Sequence, residues 1–144
     1  MTISLIFPKK RPHKYGREEI KMALKIKKLP HDLTVCKLKN ICDIDLGGDL
    51  FFIGRTDEEI SLVCPTAATP HDTIAREDGW KAFMVEGVLD FSLVGILSDI
   101  SAVLSECGIS IFAVSTYNTD YILVKAESFE SALTALSLHG YIVE

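Results

Sequence analysis

The sequence predicts an α+β fold in which an antiparallel sheet carries helices on one face. Two observations in the second half of the chain support this prediction. Residues 109–116 alternate with the period of two that is typical of a half-buried strand. The segment before them has apolar side chains at steps of three and four, which indicates a helix with one buried face. Strand and helix patterns therefore follow each other in this half.

Residues 80–108 predict a strand followed by a helix. The strand is the short apolar run at 80–85. The buried face of the helix is formed by Leu93, Ile96, Leu97, Ile100, Val103, Leu104 and Cys107. Ser92 or Asp90 can cap its start, and Gly108 suits its end, because these residue types satisfy or relax the terminal backbone groups.

A hairpin, a second helix and a last strand follow. We expect strands at 109–116 and 121–126, joined by the polar turn 117–120. A second helical stripe spans 128–140, and residues 141–143 form the last strand. The resulting βαββαβ order is the ferredoxin-like arrangement, with four antiparallel strands and two helices on one face.

The first half of the chain predicts shorter elements. Strands are expected at 23–29, 33–38, 51–55 and 60–63. Residues 39–49 contain too many Gly, Asn and Asp residues for a long helix. Residues 69–72 are typical of the capped start of one short helix.

The hairpin of the first half matches the hairpin of the second half. Aligning Phe51 with Phe112 also places Leu62 on Leu123, so that apolar positions meet apolar positions. An internal repeat of this kind predicts two copies of one module. We expect a basic extension at 1–21, a shortened first domain at 22–78 and a complete second domain at 79–144.

Charge is distributed unevenly along the chain. Residues 1–29 contain nine Lys or Arg and two Glu, a net charge of +7, whereas the remainder has six basic and eighteen acidic residues, a net charge of −12. The basic segment can be a nucleic-acid arm, but we favour a mobile tail because the acidic remainder would repel a phosphate backbone. No apolar run approaches the roughly 18 residues of a membrane span. We therefore expect a cytoplasmic protein that binds neither membrane nor nucleic acid.

The four cysteines fit a reducing compartment. They are Cys36, Cys42, Cys64 and Cys107, and no two of them form a CxxC pair. Three lie on or beside apolar positions, where cysteine usually acts as a small buried hydrophobe. Their spacing predicts no zinc site, and no motif supplies the base that a cysteine nucleophile needs. We expect neither a metal nor another cofactor.

The segment 87–95 is suited to an α-amino acid. Residues 87–92 lead into a helix whose first amides have no internal partners, and these amides attract a carboxylate. Gly87 and Gly95 leave room for a ligand to approach the backbone. Asp90 is placed either to accept an ammonium group or to cap the helix.

The end of the hairpin adds polar groups to this segment. Ser115 and Thr116 lie at a strand end, and Asn118 offers both a donor and an acceptor, although it also suits the turn. Thr119 and Asp120 are assigned to turn chemistry. The candidate ligand-binding residues are Gly87, Leu89, Asp90, Phe91, Ser92, Gly95, Ser115, Thr116, Tyr117 and Asn118.

Three segments together resemble a known family. They are LTVCKL, FFIGRTDEEISLVCP and GWKAFMVEGVLDFSLVGILSDISAVLSECGISIFAVSTYNTDYILVKAE. They are similar to small stand-alone proteins with tandem ACT domains, related to the regulatory modules of aspartate kinases and to the ACT repeats of the arginine-sensing CASTOR proteins. The resemblance implies ferredoxin-like βαββαβ ACT domains in tandem, amino-acid binding, regulation and no catalysis. Val88, Val94 and Asn118 depart from the residues common in similar proteins, which affects the identity of the ligand.

The leading functional hypothesis is an allosteric sensor that binds a free amino acid at an ACT-ACT interface and forms a homodimer. The alternative is an interaction module that serves as a regulatory subunit of an amino-acid biosynthetic enzyme, without a ligand of its own. A nucleic-acid-binding ferredoxin-like domain would need exposed aromatic residues beside Lys or Arg, which 109–116 lacks. No paired-carboxylate, phosphate-loop or triad pattern supports an enzyme.

Overall fold

The computed structural model describes residues 24–87 and 95–144, which fall into two compact units. The middle unit comprises residues 30–81. The C-terminal unit comprises 24–29 together with 82–87 and 95–144. The predicted basic extension at 1–21 lies outside the described residues.

The described residues form eight strands and two α-helices, which confirms the α+β class. In chain order they are β1 (Leu24–Lys28), β2 (Leu33–Leu38), β3 (Phe52–Arg55), β4 (Ile60–Pro65), β5 (Thr73–Gly87), α1 (Ile96–Glu106), β6 (Phe112–Ser115), β7 (Asp120–Lys125), α2 (Phe129–Leu138) and β8 (Ile142–Val143). Single 3-10 turns lie at Ile41–Asp43, Thr66–Ala68 and Ala126–Ser128.

The C-terminal unit has the predicted βαββαβ order from the end of β5 to β8. Its sheet, however, has five strands rather than four, in the order β6-β7-β5-β1-β8. Strand β1 pairs antiparallel with β5 and parallel with β8. The expectation of a purely antiparallel sheet is therefore wrong for this unit, because one parallel pair is present.

Strand β1 lies in the C-terminal unit, although the sequence placed it in a first domain at 22–78. Its sequence alternates buried Leu24 and Ile26 with exposed or half-buried lysines, so one face joins the core. The amide of Lys28 donates to the carbonyl of Glu144 at 3.1 Å, and the amide of Glu144 donates to the carbonyl of Ile26 at 2.8 Å. These long-range bonds fix β1 beside the end of the chain.

Both helices of the C-terminal unit pack on one face of its sheet, as predicted. The shared core is formed by Leu24, Ile26, Phe83, Val85, Ile96, Ile100, Val103, Leu104, Ile122, Val124, Phe129, Ala132, Leu133, Ala135, Leu136 and Tyr141. Helix α1 ends where predicted: Gly108 has a φ of 70°, and the amide of Ile109 donates to the carbonyl of Leu104 at 2.9 Å.

The middle unit has an antiparallel sheet in the order β3-β4-β2-β5. Its small core consists of Cys36, Leu38, Ile44, Leu62 and Cys64. The short helix expected from 69–72 is wrong. A 3-10 turn ends at Ala68, and β5 begins at Thr73, which pairs with Leu38. The β-branched pair Thr73 and Ile74 favours this extended backbone.

The two hairpins match in a different register from the one expected. Phe52 faces Val63 in one hairpin, and Phe112 faces Leu123 in the other, so Phe52 rather than Phe51 corresponds to Phe112. The 3-10 turns that follow, at 66–68 and 126–128, keep this correspondence. The alignment of Phe51 with Phe112 is therefore wrong by a single position, which matters because such a slip exchanges the two faces of a strand.

Within the two described ranges, neither helix is both long enough and apolar enough to cross a membrane.

The placement of β1 can be tested by truncating its most buried side chain. Ile26 is 0% exposed, so Ile26→Ala is expected to lower the free energy of unfolding by about 2–5 kcal/mol, measured by urea denaturation. The matched control is Ile74→Ala, since Ile74 is a strand residue with 54% exposure and should change stability by less than about 0.5 kcal/mol. Equal stability of the two variants would show that β1 does not contribute to the core.

Candidate functional site

Six of the predicted ligand-binding residues are described by the structure, and most of these lie at one end of the sheet of the C-terminal unit. Gly87 ends β5, Ser115 ends β6, and the turn from Thr116 to Thr119 connects β6 to β7. The hydroxyl of Thr119 donates a hydrogen bond to the carbonyl of Val85, which fastens this turn to β5 just before Gly87. The end of β5 and the hairpin turn therefore lie close together.

Four predicted ligand residues lie outside the described residues: Leu89, Asp90, Phe91 and Ser92. The capping roles predicted for Ser92 and Asp90 lie there as well. In the described helix, Gly95 occupies the N-cap position with a φ of 100°, a conformation that favours glycine. Its carbonyl accepts the first helical hydrogen bond, from the amide of Asp99 at 2.8 Å. Gly95 therefore allows α1 to start here because it can adopt this left-handed backbone conformation.

The side chain of Thr116 is used by the turn itself. Its hydroxyl donates to the carbonyl of Thr119 at 3.0 Å and lies 3.3 Å from the amide of Thr119 as an acceptor. The amide of Thr116 also donates to the carbonyl of Thr119 at 2.8 Å. Tyr117 and Asn118, at the tip, are exposed to solvent. The tip residues are therefore accessible, whereas Thr116 has a structural role.

For two buried polar residues beside the turn, the sequence predicted only a role in forming the turn. Thr119 and Asp120 are each 8% exposed. The hydroxyl of Ser115 donates to Oδ1 of Asp120 at 2.5 Å. The register of the hairpin could have revealed this contact, because Ser115 and Asp120 face each other as a cross-strand pair.

The carboxylate of Asp120 is the distinctive charge of this site. Burying a carboxylate is costly unless donors compensate its charge. Within residues 24–87 and 95–144, the Ser115 hydroxyl is its side-chain donor, and it contacts only Oδ1. Oδ2 can therefore accept a hydrogen bond from a ligand, and an ammonium group would also neutralise the charge.

The cysteines divide into two buried and two exposed thiols. Cys36 and Cys64 lie in the core of the middle unit, whereas Cys42 and Cys107 are exposed. Burial raises the pKa of the Cys36 thiol to about 11 and also raises the pKa of Cys64. Within the described ranges, no group of three or more His, Cys, Asp or Glu side chains is arranged to hold a metal ion.

Comparison with known proteins identifies the family. The model of a family described as "ACT domain" matches residues 75–137. A crystallised protein from Agobacterium tumefaciens is 31% identical, with a TM-score of 0.75, over 84% of this chain and 92% of that chain. The chain therefore belongs to the ACT-domain family. No curated protein matches it.

Two further solved structures share this fold. A protein of unknown function from Vibrio cholerae is 21% identical, with a TM-score of 0.66, over 85% of this chain and 94% of that chain. The allosteric enzyme aspartate kinase of Clostridium acetobutylicum is 16% identical, with a TM-score of 0.57, over 78% of this chain and 33% of that chain. At these identities the likeness shows the fold alone, the ferredoxin-like ACT fold.

The four thiols should differ in reactivity. The thiolate is the reactive form, and at pH 8 only about one in a thousand Cys36 thiols is ionised when the pKa is about 11. Iodoacetamide at pH 8 is therefore expected to label exposed Cys42 and Cys107 and to spare Cys36 and Cys64, as read by peptide mass spectrometry. Labelling of Cys36 should increase as the pH approaches 11. The denatured chain is the control, and all four thiols should react in it; equal rates in the folded chain would contradict the burial of Cys36.

Proposed function

We propose that this protein is a regulatory module that binds a free amino acid and catalyses no reaction. The observation that carries the proposal is the carboxylate of Asp120, a residue that is only 8% exposed. Among the described residues, the Ser115 hydroxyl donates to its Oδ1. Asp120 lies at the end of the sheet where β5 and the hairpin turn meet. Membership of the ACT-domain family supports a small-molecule site at this place.

The three groups of an α-amino acid have complementary partners in this proposal. The ammonium group binds Asp120, whose charge it neutralises. The carboxylate binds backbone amides of 87–92 and of the start of α1, where helical amides lack internal partners. Asp90 adds to the ammonium site in this proposal. Tyr117 and Asn118 are exposed and can contact the ligand side chain.

The chain contains two ACT-type modules in this proposal, of which the middle unit is the shortened one. The matched registers of the two hairpins, in which Phe52 corresponds to Phe112, support this interpretation. Each hairpin closes with an equivalent bond, between Thr56 and Glu59 at 2.9 Å and between Thr116 and Thr119 at 2.8 Å. The middle unit has 3-10 turns and no described α-helix.

Ligand binding would act by favouring one conformation of the protein. A ligand shifts such an equilibrium only by the difference between its affinities for the two states. We propose that the protein responding to this shift is a cytoplasmic enzyme of amino-acid metabolism. If no amino acid binds, the same fold would act as an interaction module of such an enzyme.

A thermal-shift screen against the twenty free L-amino acids tests the proposed function. One or two of them are expected to stabilise the protein, by about 2.7 kcal/mol at a hundredfold excess over the dissociation constant. Asp120→Asn should abolish the shift, because the neutral amide cannot compensate an ammonium charge. Calorimetry then measures the affinity of the best amino acid.

The matched control is Asp49→Asn, which removes a carboxylate from an exposed loop of the middle unit and should keep the full shift. Circular dichroism must show that both variants are folded. Absence of any shift with folded wild-type protein would refute amino-acid binding. A full shift with Asp120→Asn would refute the role of Asp120 alone.

We also propose a homodimer that pairs through strand β6. Among the described strands, β6 pairs only with β7, which makes it an edge strand of the described sheet and a candidate for pairing with a second copy. Its residues Phe112, Ala113 and Val114 are half-buried rather than fully exposed. Sedimentation equilibrium is expected to give twice the mass of the chain, 15.9 kDa, and a monomer at all concentrations would contradict this pairing.

A further inference from the structure

The first turn of helix α1 is joined to the corner between α2 and β8 by a side-chain hydrogen bond. The hydroxyl of Tyr141 donates to Oδ2 of Asp99 at 2.5 Å. Asp99 lies in the first turn of α1, and Tyr141 lies between the end of α2 and the start of β8. The two residues are 42 positions apart in the sequence, so this bond fixes the start of one helix against a distant part of the same unit.

Tyr141 is a rigidly placed donor. It is 4% exposed and belongs to the core that both helices share. Its amide donates to the carbonyl of Leu136 at 3.1 Å, directly after Gly140, whose φ of 95° lets the chain leave α2. The next residues, Ile142–Val143, form β8 and pair with β1. Because the backbone is bonded on both sides and the ring is buried, the hydroxyl is held in one position.

The N-cap residue of α1 provides no side-chain bond of its own. Gly95 has no side chain that could accept hydrogen bonds from the first helical amides. The first helical bond runs from the amide of Asp99 to the carbonyl of Gly95 at 2.8 Å, so the amides of residues 96–98 precede it. Asp99 therefore has two roles here: its amide closes the first turn, and its side chain is bonded to Tyr141.

We propose that Tyr141 is a positioning residue for the ligand site and that it acts through Asp99. This role rests on the proposed function, in which amides at the start of α1 bind the ligand carboxylate. Donors bind an anion well only when they are held to within about 0.5 Å of the productive geometry. The bond from Tyr141 fixes the turn that carries these amides before the ligand arrives, which lowers the entropic cost of binding. Tyr141 itself does not contact the ligand in this proposal.

Amide hydrogen exchange of the ligand-free full chain tests whether Tyr141 fixes the start of α1. Tyr141→Phe keeps the ring and removes the hydroxyl. The protection factors of amides 99–101 are expected to fall by about threefold or more relative to those of amides 103–105, which lie later in the same helix. An equal fall in both groups would show a general loss of stability rather than a loosened helix start, and would overturn the proposal.

Variants of Asp99 test whether Tyr141 acts through this residue. In the Asp99→Ala background, Tyr141→Phe should cause no further preferential loss at 99–101, because the bond is already absent. Asp99→Asn keeps an oxygen that can accept from Tyr141, so protection at 99–101 is expected to stay near that of the wild type. A local effect of Tyr141→Phe that persists in the Asp99→Ala background would overturn the proposed action through Asp99.

Calorimetry measures the effect on binding, with the amino acid that stabilises the wild-type protein most in the thermal-shift screen as the probe. Tyr141→Phe is expected to raise the dissociation constant by about threefold or more, because the amides at the start of α1 are less well fixed. The matched control is Tyr121→Phe, which removes the same hydroxyl from a half-buried residue of β7 and should leave the dissociation constant unchanged.

The positioning role and the proposed function fail in different ways. Wild-type protein that binds none of the twenty L-amino acids would refute the proposed function and the effect of Tyr141 on affinity, whereas exchange at 99–101 would still decide whether Tyr141 fixes α1. An unchanged dissociation constant in Tyr141→Phe, with wild-type binding intact, would overturn the positioning role and leave the proposed function standing. An equal rise in Tyr141→Phe and Tyr121→Phe would also overturn it, because the effect would not depend on the bond to Asp99.

Discussion

Backbone pairing between β1 and β5 is the constraint on which the C-terminal unit depends. It joins Leu24 to Gly87 and Lys28 to Phe83, across the whole of the middle unit in the chain. Closing so long a loop costs entropy, but the cost rises only slowly with length. The pairing buries Leu24 and Ile26, provides the neighbour on which β8 forms its parallel pair, and fixes the end of β5, where the candidate site lies.

Local patterns made much of this fold predictable. The helical stripe that includes Ile96, Ile100 and Leu104 identified α1, because a period of 3.6 needs no knowledge of distant residues. The hairpins were predicted for the same reason. The partner of β1 could not be predicted, since lysines alternating with Leu24 and Ile26 fit any sheet with one open face. The correspondence between the two hairpins was also beyond the sequence, because the adjacent residues Phe51 and Phe52 match Phe112 almost equally well.

The sequence predicted a position for the candidate site more readily than its chemical groups. The glycines and the turn residues pointed to this end of the sheet, because loops and turns use characteristic residue types. Asp120 was missed because an Asp beside a turn usually serves the turn, and only the pairing with Ser115 shows its burial. The hairpin of the middle unit pairs in the same register as that of the C-terminal unit, but it has Arg55 and Glu58 at the positions of Ser115 and Asn118. The shared register therefore does not fix the charge of the turn, which each unit sets with its own residues.

The position of β1 has a consequence for biosynthesis. The middle unit is one continuous stretch, residues 30–81, so it can fold as soon as that stretch has left the ribosome. The C-terminal unit cannot, because β1 is made before the middle unit and its parallel partner, Ile142–Val143, is made long after it. Until then β1 can pair with β5, but it lacks the second neighbour that its other edge has in the finished unit.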